Sequence, residues 1–366
     1  MVGFPNHLFV FAQMAYNLDM ASITFKGITQ NSSISKPLTD EEFESIAREY
    51  YAKPDIEIVR KQMKQLDEGG VKMNHVYDYY FKEVMSKAVG TRASWSIWDG
   101  IHNREIMEYF NGKVSENKKV FPDKMSLAQK IETAFRLCGI RYCVKLPNFP
   151  LKVASDIISR YNVNGNYYDY SCGWGSRLLG ALKNNVNYFG TDPNGELDDR
   201  LREMGEEYKK VNPTCTSNID IRCHGSQEFI PEWENRMGLA FSSPPYFSLE
   251  DYQIGEGQSY KKGMTYKEWR DGFIPQTVQN CHRYLVKGGY FIFNVKSFRD
   301  YKTNEVYPLE RDFLYEALKI GFEHVCIEAM TNNKRCHGAA GGGEYADGKK
   351  IMFSENDERM HVLKKV

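Results

Sequence analysis

Two short segments of this 366-residue chain hold the residue types that could do chemistry. The first runs Asp169-Tyr170-Ser171-Cys172-Gly173-Trp174-Gly175-Ser176-Arg177-Leu178-Leu179-Gly180. Here a strand delivers an acidic residue, and two glycines then let the backbone turn and approach a ligand closely. A dinucleotide fingerprint would need glycine three positions beyond Gly175, where Leu178 stands. A phosphate loop would need Gly-Lys-Ser/Thr, which does not follow. What remains is a cofactor site with a carboxylate at a strand end, where a positively charged amino group could sit. Asp192, at the end of the next apolar run, stands where a carboxylate accepts hydrogen bonds from ribose hydroxyls. Together these residues point to an adenosine-type cofactor without a pyrophosphate.

The second segment is Ser242-Ser243-Pro244-Pro245-Tyr246-Phe247. Consecutive prolines donate no backbone hydrogen bonds and stiffen the loop, which fixes the direction of their carbonyls beside the Ser243 hydroxyl. Tyr246 adds a flat ring next to those acceptors. Acceptors for an N–H2 group and a ring to stack on suit a planar heterocyclic amine. Standing alone, the same residues would read as a Pro-Pro turn with an exposed tyrosine.

These segments need a frame, and the second half of the chain supplies it. Tyr167-Tyr168-Asp169-Tyr170, Tyr188-Phe189-Gly190, Leu239-Ala240-Phe241 and Tyr290-Phe291-Ile292-Phe293-Asn294-Val295 are short apolar runs separated by helical stretches. Such alternation predicts an α/β fold with a mostly parallel sheet. Ligands of these sheets sit beyond the carboxyl ends of the strands, where both segments fall. The first third reads helical. Thr39 with Glu42 forms a capping box, Leu38 can staple onto Phe43, and Pro54 stops the helix. Further helices are expected from Asp55 to Leu66, around Val76–Val84, and after Ser126 and Gln129, with Ile131, Ala134, Phe135 and Cys138 on the buried side.

Composition narrows the class. With 42% hydrophobic and 26% charged residues and a mean hydropathy of -0.56, the chain is neither disordered, fibrous nor a multi-span membrane protein. Lys+Arg 48 against Asp+Glu 48 leaves no net field to draw it to a polyanion. The charge is uneven, however. Residues 1–81 carry eight basic against eleven acidic side chains, and residues 82–152 carry thirteen against seven. The second stretch interleaves Arg92, Trp95, Trp98, Arg104, Tyr109, Lys118 and Lys119, as a nucleic-acid surface would, or as a solvated helical face with buried tryptophans would. The loop Ser248 to Tyr266, with Tyr252, Gly255, Gly257, Tyr260, Lys261 and Lys262, reads either as a lid or as a mobile surface loop. The eight cysteines show no CxxC pair, so free thiols and a cytoplasmic setting are expected. The apolar start, Leu8 to Met14, lacks a basic leader, and no signal peptide or membrane span is expected. Nor do His224, His282 and His337 show metal-ligand spacing.

The order of the two motifs resembles the S-adenosylmethionine-dependent amino-methyltransferases of DNA, in which D-x-x-x-G-x-G precedes (S/T/D/N)-P-P-(Y/F). It is similar in particular to a group of bacterial and phage methyltransferases with Cys-Gly-Trp-Gly-Ser-Arg-Leu-Leu-Gly-Ala-Leu, then Gly-Thr-Asp-Pro-Asn (here Gly190 to Asn194), then Ser-Pro-Pro-Tyr-Phe. Leu146-Pro147-Asn148-Phe149-Pro150 resembles the upstream motif at the methionine end of the cofactor. Leu285 to Gly289 resembles the turn into the fifth strand. Thr331 to Arg335, with Glu344 near Ile351-Met352-Phe353, resembles the last two strands. The likeness spans about residues 140 to 355.

The resemblance implies a Rossmann-like methyltransferase domain over 141–366 behind a mainly helical domain over 1–140 that has a possible part in target recognition. It implies S-adenosylmethionine, with no metal, bound by Asn148, Phe149, Asp169, Ser171, Gly173, Trp174, Gly175, Asp192 and Pro193. Ser226 stands where the family often has an acidic residue for the adenine amine, so Gln227 or Glu228 would have to substitute. Ser243, Pro244, Pro245 and Tyr246 would hold the target amine. DNA is the expected partner, through residues 82–152 and the loop 248–266, in a restriction-modification or phage setting. Serine before Pro-Pro-Tyr resembles the cytosine-N4 subgroup more than the adenine-N6 one. The rival readings are a methyltransferase of RNA or a modified nucleotide, transfer of a related group, and a non-catalytic DNA-binding subunit with a relic pocket.

Overall fold

Helix α1 (Asp40–Tyr50) starts on the expected capping box, with Thr39 Oγ1 accepting from the Glu42 amide and Glu42 returning the bond. Helices α2 (Ile56–Gln65), α3 (Asn74–Lys87), α4 (Ile97–His102), α5 (Arg104–Glu116) and α6 (Leu127–Cys138) follow. The fold is that of a computed structural model describing residues 37–66, 68, 73–90, 95–116, 121–138, 148–252, 257–300, 303–329, 342–344, 350–352 and 359–366. From residue 148 onward strands and helices alternate: α7 (Leu151–Tyr161), β1 (Asn166–Asp169), α8 (Ser176–Lys183), β2 (Asn187–Thr191), α9 (Gly195–Val211), β3 (Ile219–Arg222), β4 (Met237–Ser242), α10 (Tyr266–Tyr284), β5 (Leu285–Asn294), α11 (Leu309–Ile320), β6 (Phe322–Ala329) and β7 (Arg359–Lys365).

The chain divides into two compact units. One holds α1 and α4–α6. Its core joins Leu38, Ile46, Ile101, Met107, Phe110, Ile131 and Phe135, and Ser126 and Gln129 exchange bonds at the start of α6. The other holds α2, α3 and all that follows α6 from residue 148 on. The expected helical segment 1–140 is thus shared between the units, with α2 and α3 packed on α9.

Seven strands form one sheet in the order β6-β7-β5-β4-β1-β2-β3. Neighbours are parallel except around β7, which runs antiparallel to both β5 and β6. This is the expected Rossmann-like, mostly parallel sheet, doubly wound outward from β1 and β4. Its middle is aromatic. Tyr167 and Tyr170 are fully buried, and their hydroxyls are satisfied by strand carbonyls, of Phe241 for Tyr167 and of Ile292 for Tyr170.

The expected last two strands need correction. The sheet ends with Phe322–Ala329 and Arg359–Lys365, while residues 342–344 and 350–352 pair separately as a two-stranded ribbon. Thr331 to Arg335 lie outside the described residues. The polar residues of β7 hide it in the sequence. Lys365 Nζ donates to the carbonyls of His282 and Leu285, and His361 is buried against Glu310 at 2.7 Å.

Candidate functional site

The strand order turns back between β1 and β4, and a crevice opens beyond the carboxyl ends of strands at such a point. The loops after β1, β2 and β4 reach it, and these carry the two motifs.

On the cofactor side, Gly173 and Gly175 both have positive φ, 56° and 79°. At Gly175 the positive φ favours glycine, and a Cβ would also require the flexible end of Met204, 2.4 Å away, to move. The Gly173 amide donates to Asp192 Oδ2 at 3.1 Å, and the Asn194 amide donates to Asp192 Oδ1 at 3.0 Å. Each oxygen keeps acceptor capacity, and the side chain is half-buried. Burial pushes its carboxyl up to about 6, against the pull of the two amides. Asn148 Nδ2 donates to the Trp174 carbonyl at 3.2 Å, which joins the upstream segment to the glycine turn. Phe149 packs edge-on against Phe241. The Ser171 hydroxyl is turned back onto the Tyr170 carbonyl, and Pro193 lies against Gly257. Leu146 and Pro147 are outside the described residues.

Asp169 does something other than the sequence suggests. Its side chain has no exposure. Oδ2 accepts from Arg177 Nε and the Tyr188 hydroxyl, each at 2.9 Å. Oδ1 accepts from the Ser242 hydroxyl at 2.8 Å and the Ser171 amide at 3.4 Å. Four donors fill the roughly four acceptor sites of a carboxylate. The positive charge expected beside it is present, but it belongs to Arg177 of this chain rather than to a ligand.

Ser226 is likewise turned inward. Its hydroxyl meets Thr277 Oγ1 at 2.9 Å, and its carbonyl accepts from Asn280. Of the two substitutes, Glu228 is exposed and accepts from the Gly225 amide. Gln227 folds over Gly225, and its Oε1 is buried with no hydrogen-bond partner among the described residues. An orphan acceptor of this kind is costly unless a ligand satisfies it.

On the target side, Pro244 is buried while Ser243, Pro245 and Tyr246 are half-buried. Among the described residues the Ser243 hydroxyl makes no hydrogen bond. The loop is anchored by its next residue, Phe247. Phe247 is 4% exposed and adopts φ 52°, a conformation that bulky residues avoid. Tyr260, Tyr266, Trp269 and Tyr307 surround it at centroid distances of 5.0–5.6 Å and hold it there. Two aromatic residues following Pro-Pro were the available signal.

The loop 248–266 touches both sides. Leu249 turns back to bond the Tyr246 carbonyl, and residues 250–251 pair with 89–90. Tyr252 reaches Trp174 at 6.1 Å, Gly257 meets Pro193, and Tyr260 meets Phe247. Gly255 lies outside the described residues. In the basic stretch, Trp98 stacks on His102 at 3.8 Å, while Arg92, Lys118 and Lys119 lie outside the described residues.

Among the described residues, no group of three or more His, Cys, Asp or Glu side chains is placed to hold a metal ion, and no helix is long and apolar enough to cross a membrane. No family model and no curated protein matches the chain. Solved structures similar to it include a TehB-like SAM-dependent methyltransferase from Corynebacterium glutamicum, at 16% identity over 64% of this chain and 95% of that one (TM-score 0.35). The N-methyltransferase NodS from Bradyrhizobium japonicum, in complex with S-adenosyl-L-homocysteine, is 12% identical over 59% and 83% (0.34). The [4+2]-cyclase SpnF is 14% identical over 57% of this chain and only 63% of its own length (0.35). Likeness at this level leaves the reading of the site to the chain's own residues.

Proposed function

We propose that this chain is an S-adenosylmethionine-dependent methyltransferase acting on the exocyclic amine of a base in DNA, cytosine N4 ahead of adenine N6. One observation carries the reading: the glycine turn and the Ser243-Pro244-Pro245-Tyr246 loop leave the carboxyl ends of adjacent parallel strands β1 and β4, where the strand order turns back, and Asp192 follows the neighbouring β2 and binds the glycine turn.

The residues present fit the cofactor. The two Asp192 oxygens have room for ribose hydroxyls, the orphan Gln227 Oε1 suits the adenine amine, and the glycine turn admits close approach. Bound there, S-adenosylmethionine would supply a methyl group on an electrophilic sulfonium. The chain's own part is to prepare the nucleophile. An exocyclic amine is a weak one because its lone pair is delocalised into the ring. Ser243 Oγ and the Pro244 carbonyl accept its N–H bonds, which lets the nitrogen recover that lone pair. The strained, caged Phe247 fixes these acceptors in advance, so that little reorganisation is needed during reaction. A base within a duplex cannot reach such a crevice, so it is flipped out and stacked on Tyr246. The loop 248–266 closes over it, and the basic stretch 82–152 holds the flanking backbone.

Labelled S-adenosylmethionine offered in parallel with duplex DNA, single-stranded DNA and RNA tests the reading. Label is expected in DNA, as N4-methylcytosine on nucleoside mass spectrometry. N6-methyladenine would change the base. Label in RNA alone would replace the substrate, and no transfer to any of them would end the proposal.

A further inference from the structure

Ser242 joins the two sides of the crevice from beneath. It closes β4, one position before Ser243, and it is fully buried. Its hydroxyl donates to Asp169 Oδ1 at 2.8 Å and lies 3.3 Å from the Ser171 carbonyl in the glycine turn. Arg177, which holds the other Asp169 oxygen, donates a second bond to that same Ser171 carbonyl. Burial opposes the Arg177 charge, but Asp169 outweighs it and the guanidinium pKa is raised. Asp169, Ser242 and Tyr188 are 0% exposed and Arg177 5%, so none of them presents a face to a ligand.

The Ser242 hydroxyl has one proton and two acceptors within reach. The hydroxyl can therefore donate to Asp169 or to the Ser171 carbonyl, and the shorter of the two contacts is to Asp169. A movement of the glycine turn that brings Ser171 closer exchanges one for the other, and the close-packed surroundings leave little room for intermediate positions. Ser242 is continuous with the target loop, so the choice is felt at Ser243. We infer that Ser242, Asp169 and Arg177 form a coupling element through which an occupied cofactor turn orders the target loop. The three are positioning residues, and the inference rests on the proposed cofactor reading.

Hydrogen exchange read by mass spectrometry, with S-adenosylhomocysteine as the probe, tests this without a nucleic acid. In the wild type the probe should slow exchange in the glycine turn, residues 171–176. It should also slow the amides of Tyr246 to Leu249 by about fivefold or more, the lower end of ordinary coupling between sites. Ser242→Ala should keep the protection at 171–176 and reduce that at 246–249 to less than about twofold. Tyr188→Phe removes a different hydroxyl from the same carboxylate without touching the tie to β4, and it should behave as the wild type. Three results overturn the coupling: wild-type protection confined to 171–176, undiminished protection at 246–249 in Ser242→Ala, or equal loss in Tyr188→Phe, which would trace the effect to stability. Absence of probe binding and of protection at 171–176 in the wild type would instead remove the cofactor reading, and the coupling with it.

Discussion

The carboxyl ends of β1 and β2 each carry an aspartate, side by side in a parallel sheet and joined through the same glycine turn. At the end of β1, Asp169 is sealed in, with Arg177, Tyr188, Ser242 and the Ser171 amide on its two oxygens. At the end of β2, Asp192 is half-buried and, among the described residues, accepts two backbone amides. Its carboxyl is pushed up to about 6 by burial. One carboxylate has a full complement of partners and the other has capacity to spare. Residue type and strand position are therefore the same for a structural hub and for a ligand acceptor, and the supply of donors separates them.

Replacing each aspartate in turn is the most forceful way to break this contrast. Asp169→Ala leaves Arg177 as an unpaired buried charge, and the loss of one partner from such a pair costs about 3–5 kcal/mol. Urea unfolding should show that loss in stability. Asp192→Asn keeps one oxygen for the two amides, so it should cost at most about 1 kcal/mol of stability, and it should weaken S-adenosylhomocysteine by about 1–3 kcal/mol in calorimetry, because bonds to a charged acceptor are lost. An equal stability loss in both variants, or an affinity loss without a stability loss in Asp169→Ala, would erase the distinction.

What was legible in the sequence follows the same division. Capping boxes, the four central strands and the glycine turn are local, and each appears where the spacing places it. The role of Asp169 is not local. It depends on Ser242, 73 positions away, and on Tyr188, 19 away. Ser226 meets Thr277 across 51 positions, and no pattern near Ser226 announces that partner. The last strand was missed because its lysines and buried histidine break the apolar alternation that marks a strand. Phe247 stands in plain view in its motif, but the ring cage that makes it an anchor comes from Tyr260, Tyr266, Trp269 and Tyr307.

The raised Asp192 pKa sharpens the contrast through pH. An unfolded carboxyl titrates near its ordinary 3.8, whereas the folded one holds its proton to about 6. Between those values the folded state binds more protons, so the ligand-free protein should lose stability as pH rises through that window. Asp192→Asn should flatten that slope. Cofactor affinity should move the other way, since ribose hydroxyls donate best to the ionised carboxylate. Titrations of S-adenosylhomocysteine should weaken by about tenfold, or 1.4 kcal/mol, for each pH unit below 6 and level off above it. The same pH dependence in Asp192→Asn would assign it to another group.

The smallest effect lies at Gln227, where the same logic of spare capacity applies to a neutral group. Its Oε1 is buried without a partner among the described residues, a desolvation cost that a bound amine would relieve. Glu228, the other candidate, carries no such cost, because it is exposed and water satisfies the acceptor positions that the Gly225 amide leaves open. Gln227→Ala should therefore weaken S-adenosylhomocysteine by about 0.5–1.5 kcal/mol, the usual worth of one neutral hydrogen bond. It should at the same time leave the melting temperature unchanged or slightly raised, since an unsatisfied acceptor has been removed. Glu228→Ala should leave the affinity where it was. The purine-riboside analogue of S-adenosylhomocysteine, with hydrogen in place of the adenine amine, gives the check on mechanism: it should bind the wild type and Gln227→Ala about equally. If Gln227→Ala weakened both ligands alike, the side chain would be shaping the loop over Gly225 rather than accepting the amine.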